Sequence, residues 1–86
     1  MKTFNLEDAQ RIGDALEVVW DKFDVQQFMM GLNVELEHGI QDAQTNVTDD
    51  DDILTGKIAL AHLKEFPDYY YRLEKLEEEA KKFWKK

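Results

Sequence analysis

Residues 56–73, GKIALAHLKEFPDYYYRL, hold the one proline of the chain, and their reading settles the architecture. Pro67 pushes Phe66 out of the helical region, so the apolar-periodic run before it has to stop. Proline is nevertheless suited to a first helical turn, and Asp68 adds favourable negative charge there. The segment is therefore a break with an immediate restart: one helix over about 50–65 and another over about 67–83. The first is expected to begin with Thr48 and Asp51 as a cap-plus-acid pair, with the run Asp49–Asp52 complementing its N-terminus, and to bury Ile53, Gly56, Leu60 and Leu63.

The second of these helices carries Tyr69, Leu73, Leu76, Ala80 and Phe83 at spacings of four, three, four and three, a heptad-like seam for a nearly antiparallel neighbour. Successive helical residues rotate by about 100°, so Tyr69, Tyr70 and Tyr71 cannot face one way. The spacing assigns Tyr69 to the buried seam, Tyr70 to its edge near Leu73 and Trp84, and Tyr71 to solvent.

Upstream, Asn5 and Asp8 cap a first helix over about 6–18 whose apolar series is Ala9, Ile12, Leu16 and Val19. Gly13 lies on the same side and marks a close packing contact, because glycine there otherwise costs about 1 kcal/mol relative to alanine. The linker WDKFD, residues 20–24, brings two aromatics onto the core. Asp24 and Gln27 then open a second helix over about 25–38 in the manner of a capping box. Val25, Phe28, Met29, Leu32 and Leu36 form one stripe and Met30 with Val34 another, so this helix is expected at the centre. Gly39 is placed to end it in a left-handed cap. A polar loop at about 40–48 follows. No strand pattern or internal repeat is present, which makes the expected fold all-α: a compact single-domain four-helix bundle spanning 1–86.

Composition narrows the function. Eleven basic against nineteen acidic residues leave a net charge of -8, which disfavours nucleic acid and anionic lipid. The lysines Lys81, Lys82, Lys85 and Lys86 close the last helix, where they complement its dipole. No apolar run reaches membrane-spanning length, and MKTFNLEDAQ lacks the core of a secretory signal, so a cytoplasmic protein is expected. Cysteine and serine are both absent, which removes disulfides, thiolate metal sites and the two commonest nucleophiles.

Both histidines stand one turn from a carboxylate: Glu35 and His38 as Glu-x-x-His, His62 and Glu65 as the reverse. On antiparallel helices the two pairs would face each other, and four such ligands suit zinc, iron or manganese. Carboxylate-bridged di-iron bundles need a second forward motif and two further glutamates, which this chain does not supply. On a helical wheel started at Val25, Glu35 falls near about 280° and His38 near about 220°, away from the main stripe. The favoured reading is that each imidazole is hydrogen-bonded scaffolding, with metal ligation or a pH-sensitive contact as alternatives. The acidic stretch from Asp42 fails the calcium-loop template, since Val47 stands where glycine is needed and Ile53 where a bidentate glutamate is needed. The candidate partner surface is the edge formed by Met30, Tyr70 and Trp84.

Along residues 28–79, the segment MGLNVELEHG, the acidic loop and DDILTGKIALAHLKEFPDYYYRLEKLEEE resemble a family of small, uncharacterised helical domains of bacteria and their phages. The shared pattern is Glu-x-Glu-His, then His-Leu-x-Glu-x-Pro-Asp-Tyr-Tyr. It falls on Glu35, Glu37, His38, His62, Glu65, Pro67, Asp68, Tyr69 and Tyr70. Many relatives place an aspartate where this chain has Ala61, which weakens any model built on an Asp-His pair there. The resemblance implies no particular activity. Together these readings lead us to expect a small acidic interaction or accessory module, virion-associated if phage-encoded, with no cofactor, no catalytic residues and a protein partner. It would be a monomer or a weak homodimer.

Overall fold

Reciprocal caps start the first two helices. In α1 (Leu6–Ala15) the Asn5 side chain accepts from the Asp8 N–H at 2.8 Å, and the Asp8 carboxylate accepts from the Asn5 N–H at 3.0 Å. In α2 (Val25–Gln41) Asp24 and Gln27 repeat the exchange at 2.8 and 3.1 Å. Asp51 caps α3 (Asp52–Glu65) by accepting from the Ile53 and Leu54 N–H groups, both at 3.0 Å. Each such cap is worth about 0.5–2 kcal/mol, so the chain fixes three helix starts locally. The computed structural model describes residues 3–41, 44 and 51–85, with the side chains of 38–41 outside that description. Thr48 and most of the expected 40–48 loop therefore lie outside the described residues.

After α3, Phe66 takes the extended conformation that a following proline demands, with φ -139° and ψ 121°. The last helix, α4 (Tyr69–Trp84), begins two residues past Pro67. Asp68 does not cap it through its side chain; its carboxylate instead accepts from Arg72 Nε at 2.8 Å, which holds the Asp68 pKa below its usual value.

Two helix ends differ from expectation. α2 continues through Gly39 to Gln41, because glycine tolerates helical geometry as readily as the left-handed turn it was expected to supply. α1 stops at Ala15, short of residue 18, because Glu17 adopts a left-handed conformation with φ 58°. The Glu17 N–H bonds to the Asp14 carbonyl at 3.1 Å and the Val18 N–H to the Gly13 carbonyl at 2.8 Å, the bond pair of a Schellman cap. Val19 consequently leaves the apolar series and is 69 % exposed.

The linker after this turn folds back. Trp20 meets Phe23 and Phe28 edge-on at 6.1 and 5.7 Å, and a Cβ on Gly13 would stand 2.5 Å from the Trp20 ring. Gly13 is thus required by a side chain that closes over α1. Gly56 serves the same purpose on α3, where a Cβ would lie 2.6 Å from Ile12 Cγ2. Buried Ala9 and Ile12 of α1, Phe28, Leu32 and Leu36 of α2, and Ala59 and Leu63 of α3 then close the core. α2 lies at its centre, as its two apolar stripes require. Asn33 pins the N-terminal segment onto it by accepting from the Phe4 N–H at 2.8 Å and donating to the Phe4 carbonyl at 3.0 Å. The surface pair of Arg11 with Asp52 at 3.2 Å joins α1 to α3 and adds little stability.

The expected seam of α4 is not a buried one. Tyr69, Tyr70 and Leu73 reach the core, but Leu76 is 59 % and Phe83 62 % exposed, and Ala80 is exposed too. Only the first turns of α4 lie on the body, because the break at Pro67 directs the rest of the helix past it. No helix among the described residues is long and apolar enough to cross a membrane.

The left-handed Glu17 gives a direct test. Glu17→Gly removes the Cβ clash and should raise stability to urea by about 0.5–1 kcal/mol, whereas the β-branched Glu17→Val should lower it by at least as much. Equal midpoints for both variants would contradict the cap.

Candidate functional site

Glu35, in the third turn of α2, points toward the end of α3, where His62 reaches it with Nδ1 3.0 Å from Oε2. Tyr70, in the first turn of α4, donates its hydroxyl to the same carboxylate oxygen at 2.8 Å. The Tyr70 oxygen also lies 3.1 Å from His62 Nδ1, closing a triangle of three polar groups from three helices. An ionised carboxylate only accepts, and the phenol hydrogen is directed to it, so Nδ1 carries the imidazole proton in this arrangement. The Tyr69 ring stacks on His62 at 4.4 Å with an interplanar angle of 10°, and Tyr70 meets it edge-on at 6.1 Å.

The close approach of α4 depends on Gly31. A Cβ there would stand 2.5 Å from Tyr70 Cε2 and 2.9 Å from Cζ, so the tyrosine ring lies against bare α2 backbone. Tyr70 is 2 % exposed and its single polar atom is satisfied by Glu35. Burial, the nearby Glu35 charge and the hydrogen bond to Glu35 all push its phenol pKa far above the ordinary value. Tyr69 is shifted in the same direction by burial and by the charges of Glu35 and Glu65.

Of the four residues expected to cluster, the structure brings Glu35 and His62 together. Glu65 is exposed and acts on the site through its charge on Tyr69. His38 belongs to α2, but its side chain lies outside the described residues. No group of three or more histidine, cysteine, aspartate or glutamate side chains among the described residues could hold a metal ion. The third member of the observed cluster is Tyr70, which the spacing had placed on a surface.

That corrects the expected partner edge. Tyr70 is core, and Met30 is half-buried in a cleft of about 420 Å³ shared with Met29, Val34, Glu37 and Tyr71. Trp84 is 81 % exposed at the far end of α4. The three residues do not form one surface. Other large apolar side chains are exposed singly along the chain, but α4 beyond its root carries three, Leu76, Phe83 and Trp84, with Phe83 and Trp84 meeting edge-on at 5.1 Å. Where α4 leaves the body, Phe66, Tyr69, Arg72, Leu73 and Leu76 surround an apolar hollow of about 210 Å³, and the Arg72 guanidinium lies 4.7 Å over the Phe66 ring. The signal for this arrangement was present in the a and d spacing; the direction of α4 was not.

A family model described as protein of unknown function (DUF5661) matches residues 9–79. No curated protein and no solved structure matches the chain.

Two measurements check the clasp. Below the ordinary phenol value of 10.0 the raised pKa of Tyr70 leaves stability unaffected; above it the unfolded chain ionises while the folded one does not, so stability falls as pH rises. The slope from this group is at most about 1.4 kcal/mol per pH unit. Tyr70→Phe should flatten part of that alkaline loss, leaving the contribution of Tyr69, and should lower neutral-pH stability by about 1–2 kcal/mol. Gly31→Ala should destabilise by about 1–2 kcal/mol despite alanine's better helix propensity, and should become neutral or favourable when Tyr70 is first truncated to alanine. Additive effects of the two substitutions would show that the ring and the glycine do not meet.

Proposed function

We propose that this chain, which belongs to the DUF5661 family of proteins of unknown function, is a non-catalytic protein-interaction module of the cytoplasm whose contact element is the outer half of α4. The observation that carries this reading is the exposure of Leu76, Phe83 and Trp84, at 59, 62 and 81 %, on one end of one helix. Burying a large apolar side chain is worth about 1.5–3 kcal/mol, so three left largely in water among the charged residues beyond Leu73 are a stored driving force for association. Phenylalanine and tryptophan are also the residue types that anchor protein interfaces.

The remainder of the molecule supports a holding role. The clasp ties the root of α4 through Tyr70 to both Glu35 of α2 and His62 of α3, so the outer half is presented in one direction. The net charge of -8 disfavours nucleic acid as the partner. A non-catalytic role is supported by the chemistry of the clasp: its imidazole is engaged by a carboxylate and two tyrosine rings, and the chain has no serine or cysteine for it to activate.

Association through α4 is testable with exposed-site variants that leave the core alone. Chemical crosslinking of the full chain, purified and in extracts of its native cell, should give products that Leu76→Glu and Phe83→Glu each reduce by about tenfold, consistent with losing one buried anchor. Circular dichroism melting should be unchanged for both. Products of equal yield from wild type and variants would remove α4 as the contact.

A further inference from the structure

Resting on that reading of α4, we infer that its partner is a second copy of this chain, packed antiparallel across α4 so that Trp84 of each copy enters the hollow at the root of the other copy's α4. Three features of the helix select this occupant. The first is the small residue in mid-seam. Ala80, flanked by Leu76 and Phe83, allows two helix backbones to approach most closely there and so sets the crossing point. The second is complementarity of shape. With the crossing at Ala80, Trp84 lies four residues past it and falls level with Leu76 of the other copy, which forms the near wall of the hollow made by Phe66, Tyr69, Arg72 and Leu73. A projecting indole that is 81 % exposed and an open apolar hollow therefore occur at matching distances on the same element. The Arg72 guanidinium at the rim of that hollow offers a cation to the indole face.

The third feature is charge. Arg72, Glu74, Lys75, Glu77, Glu78 and Glu79 precede the crossing, with the three glutamates nearest it, and Lys81, Lys82 and Lys85 follow it. Beside the crossing an antiparallel copy brings Glu79 level with Lys81 and Glu78 level with Lys82, with Lys75 and Lys85 level only at the ends of the seam, whereas a parallel copy in register sets every charge against its own kind. Exposed charges of this kind set orientation more than affinity, and salt screens them over about 8–10 Å. The contact is isologous, so it closes at two copies. A seam of two turns is shorter than a standard interface of roughly 1,600 Å², so the expected dimer is weak, with Kd on the order of 10–100 μM.

Sedimentation equilibrium of the untagged full chain from low micromolar to millimolar concentration should show monomer passing to dimer, with association about tenfold weaker in Phe83→Glu and in Trp84→Ala. Trp84 emission should shift to shorter wavelength over the same range, and Trp84→Phe should abolish the shift. Because the chain has no cysteine, spin labels can be placed one at a time at Lys75→Cys, Lys81→Cys and Lys85→Cys. Antiparallel packing requires the label-to-label distance to be shortest at position 81 and longer at both others. Equal distances at all three, monomer throughout the concentration series, or a dimer indifferent to Phe83→Glu and Trp84→Ala would each overturn the inference. Monomeric behaviour together with crosslinks in extract that Phe83→Glu removes would overturn the second copy while leaving α4 as the contact element; loss of both would sink the parent reading as well.

Discussion

One ring against one bare stretch of backbone determines how this molecule is put together. Tyr70 lies on Gly31 and sends its hydroxyl to Glu35, so a single side chain supplies both the apolar contact and the polar anchor that hold α4 to α2. A tyrosine buried to 2 % exposure without an acceptor would carry an unsatisfied polar group costing about 1–3 kcal/mol. Glu35 in turn is stabilised by two donors at one oxygen, Tyr70 and His62. Buried Tyr70 and nearly buried Glu35 satisfy one another, and half-buried His62 adds a second donor to the same oxygen.

The course of α4 follows from that fixed root, while the body forms through contacts of its own. α1, α2 and α3 form the body by close approach at Gly13 and Gly56, where ring and branched side chains press on backbone. α4 meets this body over its first turns and then departs. A helix anchored at one end leaves Leu76, Phe83 and Trp84 with most of their apolar surface in water. In the proposed association the same residues would be covered, and the anchored root means that it would not first have to order a loose segment.

The histidines illustrate how a motif can be half legible. Glu-x-x-His and His-x-x-Glu on two helices invited a four-ligand reading, yet the partner that reaches Glu35 alongside His62 is a tyrosine from a third helix. Spacing identifies neighbours along one helix, one turn apart. It does not identify which residue from a distant helix arrives in the same place, so Tyr70 was read as an edge residue when it is buried, and Glu65 as a candidate member of the cluster when it is exposed. Asn33 was passed over for the same reason, its partner Phe4 being 29 residues away.

What the amino-acid order decided by itself is whatever depends on contacts within three or four residues: the caps at Asn5 and Asp24, the break at Pro67, the all-helical content and the central position of α2. These rest on backbone hydrogen bonds and helical periodicity, which are written locally. Tertiary structure alone decided the left-handed turn at Glu17, where backbone strain is accepted in a non-glycine residue. It also decided the burial of Tyr70, and the exposure of a seam whose spacing would have suited a core equally well. A heptad repeat specifies that a helix has a sticky face; only the direction in which the preceding break sends that helix determines whether the face is covered by its own chain or left for another.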